Sequence, residues 1–163
     1  MSATRKTGQL APREEELWAD LANSILVIAR EVQFRGYEDP RAVPLSQSEG
    51  IVMRHMQRLR SASPTAIAGA TGIQRPNLTP VLKSLESKGL IQRTARPEDG
   101  RGSLLVLTER GRENYRLVRR EWAKALNMAA GGAGQDLAAA ADLLSQIEQG
   151  LAAARPAAGR QLD

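Results

Sequence analysis

The chain has 163 residues, of which 42% are hydrophobic and 3% aromatic, and its net charge is +5. This length allows one compact domain with helical extensions and excludes two large domains, and the scarcity of aromatic residues beside many Ala and Leu favours packed helices over a sheet sandwich. The absence of cysteine excludes disulfides, thiolate metal sites and cysteine redox switches.

The N-terminus has no apolar run of the signal-peptide type, and no stretch approaches the roughly 20 apolar residues that a membrane span needs. We therefore expect a soluble, cytoplasmic protein with no membrane partner. The charge is uneven, because residues 54–120 hold 14 basic and 5 acidic residues (+9), whereas the flanks hold 9 basic and 13 acidic residues (−4). A polyanion partner and a solvated basic face both fit this distribution.

The first elements in the chain are a tail and a long helix. Residues 1–12 lack periodicity and predict a flexible tail. Apolar residues at spacings of four and three then predict an amphipathic helix over 13–35, and these residues are Leu17, Leu21, Ile25, Ile28 and Val32. Gly36 ends this helix, and a loop with Pro40 and Pro44 follows.

Three shorter helices come next. Ser46 and Glu49 form a capping box at the start of the second helix, whose buried stripe is predicted to be Val52, His55, Met56 and Leu59. A third helix covers 65–70, and Gly72 takes the place of a C′ glycine. A fourth helix over 74–89 follows after a tight turn, with one apolar face made of Leu78, Val81, Leu82 and Leu85.

A hairpin and two further helices complete the chain. Two β-type runs, 90–96 and 103–108, are joined by turn residues. Thr108 caps a fifth helix that reaches about residue 130. The segment 131–134 separates it from a sixth helix, whose apolar residues are Leu137, Ala140, Leu144, Ile147 and Leu151.

The order of helix three, turn, helix four and basic hairpin is that of a winged helix-turn-helix. Packing of helix four on helix three leaves polar residues outward near its N-terminal half, namely Gln74, Arg75, Asn77, Thr79 and Lys83. Arg reads guanine edges, Asn and Gln read adenine, and Thr meets a thymine methyl group or a phosphate. A polar helix face without a ligand gives the same pattern, so the helix pair alone does not decide between them.

The hairpin favours DNA as the ligand. Arg93, Arg96 and Arg101 lie on or beside its turn, and an arginine on a thin ribbon can enter the minor groove, where negative potential is concentrated. Asp99 lies two residues from Arg101 and can fix its guanidinium group or cap the backbone of the turn.

These segments resemble the MarR family of bacterial transcription regulators. The resemblance is carried by the helix pair of residues 65–91, the wing of residues 93–108 and the Leu107-Thr108-x-x-Gly111 step into helix five. It extends more loosely over residues 13–152.

The resemblance implies a homodimer that represses transcription, in which the terminal helices of two subunits interlock over a pseudo-palindromic operator in double-stranded DNA. It implies major-groove contacts from helix four through Arg75, Asn77, Thr79 and Lys83. Arg101, supported by Asp99, would enter the minor groove, and Thr65 would contact a phosphate. Many members are released from DNA by a small phenolic or anionic effector.

We therefore expect a mostly α fold with a small β-hairpin wing. Its expected parts are a tail (1–12), a dimerisation segment (13–45), a winged helix-turn-helix lobe (46–111), C-terminal dimerisation helices (109–154) and a second tail (155–163). Apart from the resemblance, a core of about 60 residues is too small to cover three long helices, which favours a partner subunit. An intramolecular three-helix bundle is the alternative.

Two narrower expectations concern Pro80 and an effector. Pro80 removes one backbone hydrogen bond, so helix four is expected to bend in its first turns or to start late. Trp18, His55 and Tyr115 are the candidate effector contacts, although a lone histidine on an apolar face is more often a core residue.

An enzyme is not expected. The chain has one His, no Cys, no Gly-rich phosphate loop after a strand and no paired carboxylates on one helix face, so no catalytic set, cofactor or metal site is predicted. The remaining alternative is a winged helix that contacts protein and not DNA, which the arginines at the wing tip disfavour.

Overall fold

The first helix forms a unit by itself. The computed structural model describes residues 10–95 and 103–155, and the chain divides into one unit up to Gly36 and another from Tyr37. In the first unit α1 (Pro12–Phe34) begins with a proline, whose fixed φ suits the first helical turn. No side chain of α1 is buried, so the apolar stripe predicted for this helix is not covered within the described chain.

The second unit contains the remaining elements. They are α2 (Gln47–Met56), α3 (Pro64–Thr71), α4 (Arg75–Ser87), β1 (Ile91–Ala95), β2 (Ser103–Leu107), α5 (Glu109–Ala130) and α6 (Leu137–Ala153), with a short 3₁₀ turn, Gly134–Asp136, before α6. The predicted fold class, mostly α with a two-stranded antiparallel hairpin, is confirmed. Within the described residues no helix is long and apolar enough to cross a bilayer.

Hydroxyl side chains start three of the helices. Ser46 and Glu49 form the predicted capping box, and Thr108 accepts the Gly111 N–H at 2.9 Å as predicted. Ser63 caps α3 by accepting the Ala66 N–H at 3.2 Å, a cap that was not predicted from the sequence.

The hairpin pairs with one residue outside it. In its register Ile91 lies opposite Leu107 and Ala95 opposite Ser103. Ala62 adds a bridge, because its N–H donates to the Leu105 carbonyl at 3.0 Å and the Leu105 N–H donates back at 2.9 Å. From the sequence only a chain break is predicted here, since a single paired residue leaves no periodic signal.

The core of the second unit lies between α2, α3, α4, α5 and the hairpin. Its fully buried side chains include Val52, Met53, Met56, Ile67, Leu78, Leu85, Leu90, Ile91, Leu105 and Val118. The predicted stripe of α2 was wrong at Leu59, which is 41% exposed because the helix ends at Met56. Met53, which the predicted stripe omitted, is buried.

The loop after α1 belongs to the second unit. Ala42 and Leu45 are buried in its core. The Asn114 side chain on α5 accepts the Val43 N–H at 2.7 Å and donates to the Val43 carbonyl at 3.0 Å. Because one amide satisfies both backbone groups of Val43, the loop is tied to α5, although the sequence placed it with α1 up to residue 45.

The Leu107-Thr108-x-x-Gly111 step joins the hairpin to α5. Its backbone packs closely against the backbone of Leu90. The Thr108 hydroxyl donates to the Gly89 carbonyl at 2.7 Å, and the Thr108 N–H donates to the Leu90 carbonyl at 3.1 Å. A Cβ atom on Gly111 would lie 2.0 Å from the Leu90 carbonyl oxygen. Only glycine therefore fits at this joint without a backbone shift.

We expect Gly111→Ala to lower the free energy of unfolding by about 3 kcal/mol, because the new methyl group must displace the backbone at Leu90. Gly69→Ala is the matched control, since Gly69 is an exposed glycine of α3 and a Cβ atom added to it would meet nothing within 4 Å. It should raise stability by about 0.5 to 1 kcal/mol. Urea unfolding measures both, and equal stabilities for the two variants would contradict the close approach.

Candidate nucleic-acid interface

The first turn of α4 is regular although the helix contains two prolines. The N–H groups of Asn77 and Leu78 both donate to the Gln74 carbonyl at 2.9 Å. Pro76 lies in the first turn, where its missing N–H would have no helical acceptor. The helix begins at Arg75, upstream of Pro80, so of the two effects expected of Pro80, a bend or a late start, the late start does not occur.

The apolar face of α4 determines which residues remain outside. Leu78, Leu82 and Leu85 are buried in the core. The five residues predicted to read DNA from this helix are all exposed: Gln74, Arg75, Asn77, Thr79 and Lys83. The structure therefore leaves the predicted polar side chains of α4 free to meet a ligand.

The start of α3 contributes to the same surface. Thr65 is exposed in the first turn of α3, and its hydroxyl accepts a hydrogen bond from the Arg75 guanidinium group. The predicted phosphate contact and a predicted base reader thus lie side by side, although they are ten residues apart in the chain.

A cleft of about 640 Å³ opens between the start of α3, α4 and β2. Its lining residues are Ser63, Pro64, Thr65, Arg75, Leu78, Thr79, Leu82, Ser103 and Leu104. Hydroxyl groups and one guanidinium group therefore lie beside leucine side chains. Such groups can donate hydrogen bonds to phosphate oxygens.

The basic residues on and beside α4 differ in whether a carboxylate pairs with them. Arg75 and Lys83 form no ion pair with a carboxylate among the described residues. Arg93, in the middle of β1, lies 2.8 Å from Glu86 and donates to the Ser103 hydroxyl at 2.9 Å. The unpaired positive charge is therefore on the exposed part of α4, whereas Arg93 is neutralised.

The tip of the wing lies outside the described residues. This applies to Arg96, Asp99 and Arg101, which the sequence predicts as DNA contacts. Strands β1 and β2 flank this segment on both sides. The roles of these three residues therefore stay predictions from the sequence.

The three candidate effector residues differ in burial. Trp18, in the first unit, is 42% exposed, whereas Tyr115 on α5 is 8% exposed. His55 on α2 is half-buried. Within the described part of the chain no cluster of His and carboxylate side chains could hold a metal ion.

Charged side chains of both signs act on Tyr115. Burial raises the pKa of its phenol, and the guanidinium groups of Arg119, Arg54 and Arg58 partly oppose that rise. Arg54 also pairs with Glu148 of α6 at 2.8 Å. The buried phenol is therefore influenced by three arginines and by Glu148, of which Arg54 and Glu148 neutralise each other.

Two serines that line the cleft, Ser63 and Ser103, were not predicted from the sequence. Ser63 had a usable signal, because a serine directly before Pro64 is typical of an N-cap followed by proline at the first helical position. Ser103 had none, since its contact with Arg93 depends on the strand register.

Comparison with known sequences identifies relatives among transcription regulators. A sequence model described as the MarR family matches residues 45–103. An uncharacterised helix-turn-helix-type transcriptional regulator of Mycobacterium leprae is 30% identical over 112 residues, which cover 67% of this chain and 76% of the relative.

Solved structures show the same fold. Sco3205, a MarR family transcriptional regulator of Streptomyces coelicolor solved in complex with DNA, has a TM-score of 0.65 and 18% identity over 91% of this chain and 93% of its own. The transcriptional repressor CouR, bound to a 23-mer DNA duplex, has a TM-score of 0.61 and 26% identity over 86% and 99%. BpsR of Bordetella bronchiseptica, whose DNA binding 6-hydroxynicotinic acid regulates, has a TM-score of 0.60 and 18% identity over 82% and 98%.

We expect Pro80→Ala to raise the free energy of unfolding by about 1 to 3 kcal/mol, because alanine restores an N–H that can donate to the Pro76 carbonyl inside α4. Pro76→Ala is the control and should change stability little, since an N–H in the first turn has no helical acceptor. Urea unfolding compares the two, and a Pro80→Ala variant no more stable than the native chain would contradict this account.

Proposed function

Because this chain belongs to the MarR family of winged helix-turn-helix transcription regulators, we propose that it binds double-stranded DNA as a homodimer through α4 and the wing. The observation that carries the proposal is the exposed polar part of α4. Arg75 and Lys83 are exposed without a carboxylate partner among the described residues, and Asn77 and Thr79 are exposed with them. Cations and amides of this kind match phosphates and base edges.

Each part of the surface has a proposed role. Helix α4 enters the major groove, where Arg75 and Asn77 read base edges and Lys83 contacts the backbone. Thr65 contacts a phosphate beside Arg75, which its hydrogen bond to that side chain supports. The DNA complexes of Sco3205 and CouR, two proteins of the same fold, support DNA as the ligand.

The wing is proposed to enter the minor groove. Arg101 makes the minor-groove contact, and Asp99 holds the guanidinium group of Arg101. Arg96 contacts the DNA backbone nearby. This assignment comes from the sequence alone. Arg93, in the middle of β1, is already paired with Glu86, which favours the other wing arginines as the minor-groove contacts.

The proposed homodimer covers apolar surface that one chain leaves open. Leu26 and Phe34 of α1 are 71% and 75% exposed. In the other unit Leu137, Leu144 and Leu151 of α6 are 69%, 43% and 67% exposed. Faces of this kind are typical of helices that pack against a partner, since leucine side chains gain about 1.5 to 3 kcal/mol each on full burial.

We further propose that a small phenolic or anionic effector releases the protein from DNA and that the protein is a repressor. Arg58 and Arg119, which act on Tyr115 and form no ion pair among the described residues, support an anionic ligand, with His55 and Trp18 as further candidate contacts. The regulation of BpsR by 6-hydroxynicotinic acid supports an effector of this size in a protein of this fold.

Two substitutions on α4 should separate base reading from phosphate contact. Asn77→Ala is expected to cost about 1 to 3 kcal/mol of binding and to relax the preference for one sequence. Lys83→Ala is expected to weaken binding to all sequences alike and to reduce the slope of log affinity against log salt by about one. Fluorescence anisotropy on short duplexes over a salt series measures both effects.

The native chain provides the reference for this series. Its affinity should fall steeply as salt rises, because several phosphate contacts release counterions. An affinity that does not change with salt would contradict DNA binding and would favour a winged helix that contacts protein.

Leu144→Asp should dissociate the dimer, because each of two subunits would replace a leucine that is 43% exposed in one chain, and that the proposed interface covers, with a carboxylate. The loss of about 3 to 6 kcal/mol corresponds to a dissociation constant on the order of a hundredfold higher or more. Gln146→Asp, an exposed polar position of the same helix, is the control and should stay dimeric. Sedimentation equilibrium reports the mass, and a dimeric Leu144→Asp variant would contradict the proposed role of α6.

A further inference from the structure

A buried ionic cluster joins the C-terminal half of α4 to the start of α2. At its centre is the Glu49 carboxylate, whose side chain is 4% exposed. Its Oε1 accepts a hydrogen bond from the Ser84 hydroxyl at 2.7 Å, and its Oε2 accepts one from the Ser46 N–H at 2.7 Å. The Lys88 ammonium donates to both oxygens at 2.7 Å. The carboxylate therefore accepts four hydrogen bonds.

Lys88 extends the cluster to a third segment. Its Nζ also donates to the Pro44 carbonyl at 3.0 Å, so the three protons of the ammonium group have three acceptors. Lys88 directly follows α4 and Pro44 lies two residues before the Ser46 cap. The cluster thus joins the loop end, α2 and α4.

Glu49 is ionised in this setting. Burial raises the pKa of its carboxyl group, but hydrogen bonds from Lys88, Ser46 and Ser84 outweigh that effect and hold the pKa below its ordinary value. A buried ion pair adds little net stability compared with an apolar pair of the same size. We therefore attribute the presence of this ion pair to the fixed geometry of its hydrogen bonds and not to a gain in stability.

The other buried contacts of α4 lack direction, and its two further polar contacts, from Arg75 to Thr65 and from Glu86 to Arg93, lie at the surface. Leu78, Leu82 and Leu85 hold the helix by apolar burial, which depends on area and only weakly on angle. Ser84 and Lys88 are one helical turn apart and bind the same carboxylate. Two charge-assisted bonds from consecutive turns fix both the rotation of α4 about its axis and its position along it.

We infer that Glu49 and Lys88 are positioning residues that set the rotation of α4 and thereby the sequence selectivity of DNA binding, an inference that rests on the function proposed above. Lys83 precedes Ser84 directly, and Asn77 and Thr79 lie on the same helix. A small rotation of α4 moves these side chains relative to base edges, whereas phosphate contacts tolerate it better because they depend less on register.

The test is a set of neutral substitutions with separate readings of stability and selectivity. Lys88→Met leaves the buried Glu49 carboxylate without a counter-ion, and Glu49→Gln leaves the Lys88 ammonium group without one, so each should lower the melting temperature. The double variant removes both charges at constant net charge and should regain most of that stability. Its preference for the native chain's favoured duplex over a shuffled duplex should nevertheless fall about tenfold, with affinity for the shuffled duplex unchanged.

A matched control removes an exposed ion pair. Glu113→Gln with Arg116→Met on α5 also keeps the net charge, and this variant should keep native selectivity. All affinities are measured at a temperature at which circular dichroism shows each variant folded. A double variant at Glu49 and Lys88 that regains both stability and selectivity would overturn the positioning role.

Ser84→Ala provides a second reading if the double variant is unstable. It keeps the ion pair and removes one directional bond, so selectivity should fall about threefold at a near-native melting temperature. Unchanged selectivity in Ser84→Ala would overturn the inference. A native chain without any sequence preference would overturn the proposed function itself, and that result is visible before any substitution is made.

Discussion

The candidate DNA-binding surface of the second unit depends on one constraint, the single narrow apolar face of α4. Leu78, Leu82 and Leu85 are its buried side chains, and each must reach the core formed with α2, α3 and the hairpin. Because a helix is rigid, burying that face turns the remaining side chains outward. The exposure of Asn77 and Lys83 is therefore a consequence of packing, and it makes these side chains available to DNA.

The helices at the two ends of the chain, α1 and α6, differ from α4 because their apolar faces are not buried. Helix α1 has 23 residues and none of them is buried, and α6 has no buried residue either. The core of the second unit is already closed by the 37–45 loop, which Asn114 ties to α5. These helices therefore carry apolar surface that the described chain does not cover, and a second copy is the occupant we propose.

Much of the fold was predictable because local signals agreed with the packing. The caps at Ser46 and Thr108, the turn at Gly72 and the three-four spacing of leucines in α4 each report a physical requirement that one segment carries alone. The bridge at Ala62 and the cluster around Glu49 were not predictable, because they join residues far apart in sequence. Pro80 was a misleading signal for a late helix start, because α4 begins before it, with Leu78 already bonded to Gln74.

The most direct test of the account is selection of DNA from a random pool by the native chain, followed by sequencing. Two inverted half-sites about 10 base pairs apart from centre to centre should be enriched, because a two-fold dimer presents one α4 to each of two successive major grooves. Enrichment of no sequence, or of a single half-site without an inverted mate, would contradict the claim that α4 of a homodimer reads DNA.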